Sequence, residues 1–278
     1  MRLSPSYPRR ALYLGWGLLL AFVGLVVWHA VPSVQEPCPV PLQEHAVNGK
    51  LCPRLGNMNG VKLAIPQHYL LGPTTYKGID IWNAESFKNR PTNPTFANEI
   101  DNFAIKIRLS TFKPIETRKD RDDYAKLGAI VGVPSADNRW IHVGFDRRDY
   151  IFCRGSMKCR FDRWLLDEAG RGPWSLQPTK AWGLAHYRTT RVVDKNSMDS
   201  EATDLYYDPE SQGTFITCFN GFAIAPPYTP RVSCKHQFSI HEAKVEVVVD
   251  NIQSDADMAR WAEIEREVKR VFQSFVVP

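Results

Sequence analysis

The hydrophobic positions of this chain follow three periods. From Ala11 to Trp28 they are unbroken, with no charge and no strong helix breaker. A helix rising about 1.5 Å per residue crosses the roughly 30 Å hydrocarbon core of a bilayer in about 20 residues, so this run predicts one membrane span over 11–31. Beyond Gly56 the period is two. Phe103, Ile105, Ile107 and Leu109 alternate with Ala104, Lys106 and Arg108, which predicts a strand with one buried face. Similar short runs predict strands at Val61–Ile65, Trp140–Phe145, Tyr150–Cys153, Trp182–Thr189, Asp204–Tyr207, Thr214–Phe219, Ser233–Ile240 and Lys244–Val249. Turn residues separate them, as in an antiparallel meander rather than βαβ units. At the carboxy terminus the period becomes helical: Met258, Trp261, Ile264, Val268, Val271, Phe272 and Phe275 form one stripe. Ser254 is the expected N-cap, with Asp255 and Asp257 at the positive end of the dipole. A shorter helix is expected over 121–129. The fold class is α+β: a mainly antiparallel β meander with a carboxy-terminal amphipathic helix, preceded by one transmembrane helix.

These periods divide the chain into a basic tail (1–10), a signal anchor (11–31), a stalk (32–55) and an α+β domain (56–278) of one or two lobes. The stalk is set by Pro32, Pro37, Pro39, Pro41 and Pro53, which fix φ and remove backbone donors. Arg9 and Arg10 directly precede the span and place the amino terminus in the cytoplasm, with the domain on the periplasmic side of an inner membrane. A cleaved signal peptide fits less well, because Trp28-His29-Ala30 puts a large residue where cleavage needs a small one. Either way the rest of the chain is exported.

Charge alters the picture little. The formal net charge is +5, but Arg2, Arg9 and Arg10 all precede the first acidic residue, Glu36. The exported part is therefore nearly balanced, which argues against a nucleic-acid partner. The six cysteines are Cys38, Cys52, Cys153, Cys159, Cys218 and Cys234. An even number in an exported chain points to a disulfide framework. Proximity favours Cys38–Cys52, Cys153–Cys159 and Cys218–Cys234, although sequence alone leaves the connectivity open. No Cys-x-x-Cys or zinc-knuckle spacing supports a metal site.

Catalytic signatures are lacking. The chain has no Gly-x-Ser-x-Gly elbow, Walker loop, dinucleotide fingerprint or His-Glu-x-x-His. No catalytic residue, cofactor or metal is assigned from the sequence, and the protein is expected not to be an enzyme. Two segments suggest binding instead. Asp194 to Glu210 is acidic, with Asp199, Glu201 and Asp204 as candidate contacts to a basic protein surface. Between Cys218 and Cys234, a loop stiffened by Pro226, Pro227 and Pro230 carries Phe222, Ile224 and Tyr228. A rigid loop presenting aromatic groups loses little entropy on binding. The alternative for each is plain: an exposed acidic loop, and aromatics folded back on their own sheet.

Residues 213–275 carry a resemblance. A strand ending in Cys218 leads through the Pro-rich loop to Cys234-Lys235-His236-Gln237-Phe238. A second strand, Val245–Val249, then precedes the helix of Trp261, Ile264 and Val268, which ends Gln273-Ser274-Phe275. This layout resembles periplasmic immunity proteins paired with type VI secretion system lipase effectors. The resemblance implies a membrane-tethered, mostly β protein that binds and blocks a secreted toxin, with no chemistry of its own. The sequence departs from lipidated members, since Val-Gln-Glu-Pro rather than a lipobox surrounds Cys38. Two other classes stay open. One is an envelope hydrolase using carboxylates with His186 or His142, because paired acids leave no sequence signature. The other is a structural subunit of an envelope assembly.

Overall fold

The computed structural model describes residues 52–127, 139–147, 153–166, 173–189, 202–220, 232–252 and 255–278. The expected membrane span and nearly all of the stalk lie outside them. Among the described residues no helix is long and apolar enough to cross a membrane.

Eleven strands are described: β1 (Arg54–Met58), β2 (Val61–Ile65), β3 (Thr75–Tyr76), β4 (Ile100–Arg108), β5 (Trp140–Asp146), β6 (Trp174–Leu176), β7 (Ala185–Thr189), β8 (Ala202–Tyr207), β9 (Thr214–Asn220), β10 (Val232–Ile240) and β11 (Val245–Ile252). The described helices are α1 (Ala84–Lys88), α2 (Arg118–Leu127), α3 (Met157–Leu166), α4 (Asp255–Met258) and α5 (Trp261–Gln273). Strands β1 and β2 form a hairpin, and the other nine form one antiparallel sheet in the order β3-β4-β5-β11-β10-β9-β8-β7-β6. The molecule is α+β and mainly antiparallel.

Alternation decides which residues enter the core. Phe103, Ile105 and Ile107 of β4, Ile141, Val143 and Phe145 of β5, and Val245, Val247 and Val249 of β11 share one buried face. Helix α5 lays Ile264, Val268, Val271 and Phe272 on that face. Phe103 stacks on Phe145 at 4.7 Å, and Phe145 meets Phe272 at 5.3 Å. Pairs of this kind add a modest term to the hydrophobic gain of burial. The β1–β2 hairpin closes this side, with Ala64 N–H donating to the Phe275 carbonyl at 2.8 Å. The intervening residues of the sheet point the other way. There α3 builds a second core: Phe161 stacks on Tyr207 at 4.5 Å, beside Met157, Leu205 and Phe215.

Several expectations need correction. The single terminal helix is two, because the chain bends at Ala259 and Arg260. Asp257, almost fully buried, is ion-paired to Arg139, which ties the first short helix to the start of β5 before α5 sets off across the sheet. The strand expected from Trp182 starts only at Ala185, since Trp182 and Gly183 have φ of 52° and 85° and form a turn. The strand expected at Tyr150–Cys153 falls largely outside the described residues, as does Ser254. The first described strand, β1, begins at Arg54.

Candidate functional site

The antiparallel register gives the two ends of the sheet different characters. On one end the connections within β7–β11 are short: 208–213 between β8 and β9, and 241–244 between β10 and β11. On the other, Arg188 pairs with Asp204, Ala202 with Phe219, Val232 with Asn220, and Cys234 with Ile252. Thr189, Ala202, Asn220 and Val232 therefore all reach the same end. They flank 190–201 and 221–231, the segments that carry Asp199, Phe222, Ile224 and Tyr228. These four residues, and Glu201, lie outside the described residues.

The described base of this end is stapled and charged. Cys218 and Cys234 are joined by a disulfide between directly opposed positions of β9 and β10, and both are buried. A cross-link here limits how far the base of segment 221–231 can open. Beside it Lys235 approaches Asp250 at 3.5 Å and stands over the Phe219 ring at 6.0 Å. Cys153 is bonded to Cys159 at the head of α3. Cys52 is also disulfide-bonded, and Cys38 lies outside the described residues.

Asp204 is not a residue of an exposed acidic loop. It lies within β8, 8% exposed, and its Oδ1 accepts from Arg188 Nε at 2.8 Å and contacts His186 Nε2 at 2.7 Å. The hydrogen bond that Arg188 donates to Asp204, together with the charge of Asp204, raises the already high pKa of Arg188. The His186 ring stacks on Tyr206 at 4.6 Å. Burial, followed by the charge of Asp204, raises the Tyr206 phenol well above its ordinary range. This cluster locks β7 to β8 and leaves Arg188 as its outward-facing charge, its side chain 59% exposed. Sequence reading passed over Arg188, Lys235 and Asp250. The spacing of His186 and Arg188 puts them on one face of a strand, but only the β7–β8 register shows that Asp204 lies opposite.

His142 and His236 are packed into the fold. His142 Nε2 meets the Tyr124 hydroxyl at 3.1 Å, and burial lowers its pKa, favouring the neutral ring. His236 is fully buried, with Nε2 3.5 Å from Glu265. Among the described residues no group of His, Cys, Asp or Glu is arranged to hold a metal ion.

No protein-family profile matches this chain, and no curated protein matches it. A solved structure described as an immunity protein of the Stenotrophomonas maltophilia type IV secretion system is similar to it, at 15% identity and a TM-score of 0.48, over 84% of this chain and 98% of that one.

Proposed function

We propose that the protein is a binding protein of the periplasm, tethered by its first thirty residues, that holds a secreted antibacterial effector inactive by covering its active-site mouth. The observation that carries this reading is the delivery of both 190–201 and 221–231 to one end of the sheet, over a base stapled by Cys218–Cys234. A contact surface on a fixed base gives up less conformational freedom on binding. Arg188, Lys235 and Asp250 supply a charged rim, which steers encounter and excludes mismatched partners. The lipase chemistry of the effector rests on the sequence resemblance alone, and the periplasmic location rests on the apolar run and its flanking arginines.

The experiment is co-purification with the product of the neighbouring gene, followed by titration with the full-length protein. Phe222→Ala and Tyr228→Ala should each weaken the complex about 30-fold, the usual scale of a hot spot, with melting temperature unchanged. A periplasm-dependent reporter at the carboxy terminus should be active. The reading fails if deleting the gene leaves cells no more sensitive to rival bacteria and no effector binds. A hydrolase would instead lose turnover on an envelope substrate with His186→Ala.

A further inference from the structure

A second site lies far from the stapled end of the sheet. Where β1 passes the segment leading into β3, a cavity of about 200 Å³ is lined by Arg54, Arg90, Thr74, Gln67 and Tyr76, among others, and among the described residues no carboxylate lines it. Among the described residues neither guanidinium meets an acid; Arg90 only stands over the Phe87 ring at 4.3 Å. Thr74 is 9% exposed, and its hydroxyl has no hydrogen-bond partner among the described residues. A buried hydroxyl without a partner is unfavourable unless something supplies one.

The walls are pre-set. Gln67 Nε2 donates to the Cys52 carbonyl at 2.8 Å, and the Tyr76 hydroxyl donates to the Leu55 carbonyl at 2.9 Å. Burial pushes the Tyr76 phenol up to about 12 against the pull of Arg54, so this wall stays neutral. Two cations lining a small polar cavity, with no counter-charge among the described residues, suit a compact anion with several acceptor oxygens, and a guanidinium fork matches phosphate geometry. We infer that this cavity binds a phosphate group, either free or on the headgroup of an anionic lipid. The lipid source is physically reasonable because Trp82, on the same excursion as Arg90, is 91% exposed, and Trp favours the membrane–water interface. The inference stands independently of effector binding.

The test uses the full-length protein in a phosphate-free, non-ionic detergent. It is titrated with inorganic phosphate, with dioctanoylphosphatidylglycerol and, as a control, with a neutral glycolipid of the same chain length. Calorimetry and melting temperature are the readouts. At least one phosphate probe should bind and raise the melting temperature, whereas the neutral lipid should not. Arg54→Gln and Arg90→Gln should each weaken that binding about tenfold or more, and Thr74→Val by less. Without ligand Arg54→Gln and Arg90→Gln should melt like the parent, since neither arginine is ion-paired among the described residues, and Thr74→Val should melt no lower than the parent. Binding of inorganic phosphate supports recognition of the free anion, and binding of phosphatidylglycerol alone supports the headgroup. If neither probe binds, or if Arg54→Gln with Arg90→Gln responds like the parent, the inference is overturned. Effector affinity measured on the same double variant should be unchanged, so the two readings fail separately.

Discussion

The two ends of the central sheet are built from the same strands yet solve different problems. At one end β8 turns into β9 through 208–213, where Asp208 Oδ1 accepts from the N–H groups of Glu210 and Ser211 at 3.0 and 3.3 Å. Thr214, the first residue of β9, then donates to Glu265 of α5 at 2.7 Å, tying this end to the helix above. Side chains here are spent on holding the fold. At the other end the strands run out into 190–201 and 221–231, and the described side chains are a staple and a rim of charge. Short, self-satisfied connections favour stability; long connections on a fixed base leave side chains available to a partner. Substitutions at the first end should therefore change folding free energy alone, and those at the second should change recognition.

The largest expected effect tests the first half of that contrast. Glu246, at the start of β11, is 1% exposed and ion-paired to Arg160 of α3. Removing one partner of such a pair strands the other charge in the interior, a loss of about 3–5 kcal/mol. Arg160→Met should lower the midpoint of urea unfolding by that amount while the folded fraction binds effector normally. Weakened binding by folded Arg160→Met protein would mean that the two ends are coupled.

Next comes the staple, where the two roles meet. Cys218 and Cys234 are 16 residues apart in sequence, and closing a loop of that size is worth about 3 kcal/mol in the chain-entropy picture. Cys218→Ser with Cys234→Ser should lower stability by about that much and also weaken the effector complex. The pair Cys153–Cys159 closes a loop of separation 6 and should matter less on both counts. Calorimetric melting beside effector titration reads both quantities. An unchanged effector affinity after loss of Cys218–Cys234 would detach the staple from recognition.

How much of this was legible in the sequence follows from where period and packing agree. Strands β4 and β5 were readable because one face is buried under α5, so apolar residues recur every second position, and β2 and β9 to β11 were readable as short apolar runs bounded by turn residues. Helix α3 was missed: only Met157 and Phe161 are buried along it, and Lys158, Arg160, Asp162 and Arg163 hide so sparse a stripe. Asp204 misled for a related reason. Its neighbours Asp199, Glu201, Asp208 and Glu210 read as one acidic surface run, whereas its actual partners, His186 and Arg188, come from the adjacent strand. Non-local pairing of this kind leaves no trace in local composition. Arg54 and Arg90 are likewise distant in sequence, and only the fold brings them to one cavity.

A smaller effect comes through pH. Burial alone would raise the Glu265 carboxyl, but contacts from His236, Lys269 and Thr214 outweigh it and hold its pKa at about 2, below the ordinary 4.5. A carboxyl depressed in the folded state adds stability that is complete above the ordinary value and is lost as pH falls toward the folded one. The protein should therefore lose roughly 2–3 kcal/mol on acidification from about pH 4.5 to 2 through this group. Glu265→Gln should flatten that part of the stability profile. A profile equally steep in Glu265→Gln would place the acid sensitivity elsewhere, with Asp120, also held at about 2, the next group to test.

The smallest expected effects sharpen the contrast most, because they set one substitution outside the core at each end against the other. Asp208→Ala removes the acceptor that closes the β8–β9 turn, and the freed N–H groups of Glu210 and Ser211 can turn to water. The cost should stay near 1 kcal/mol, with no change in effector binding. Lys235→Ala removes a side chain that is 49% exposed and whose contact with Asp250, at 3.5 Å, is a surface pair worth at most about 1 kcal/mol. Its folding stability should barely move. A rim charge acts instead on encounter, so the association rate with the effector, and its dependence on salt, should change while the dissociation rate holds. Stopped-flow association at two ionic strengths, run on both variants, separates the outcomes. If Asp208→Ala altered the association rate as much as Lys235→Ala, recognition would not be confined to the stapled end.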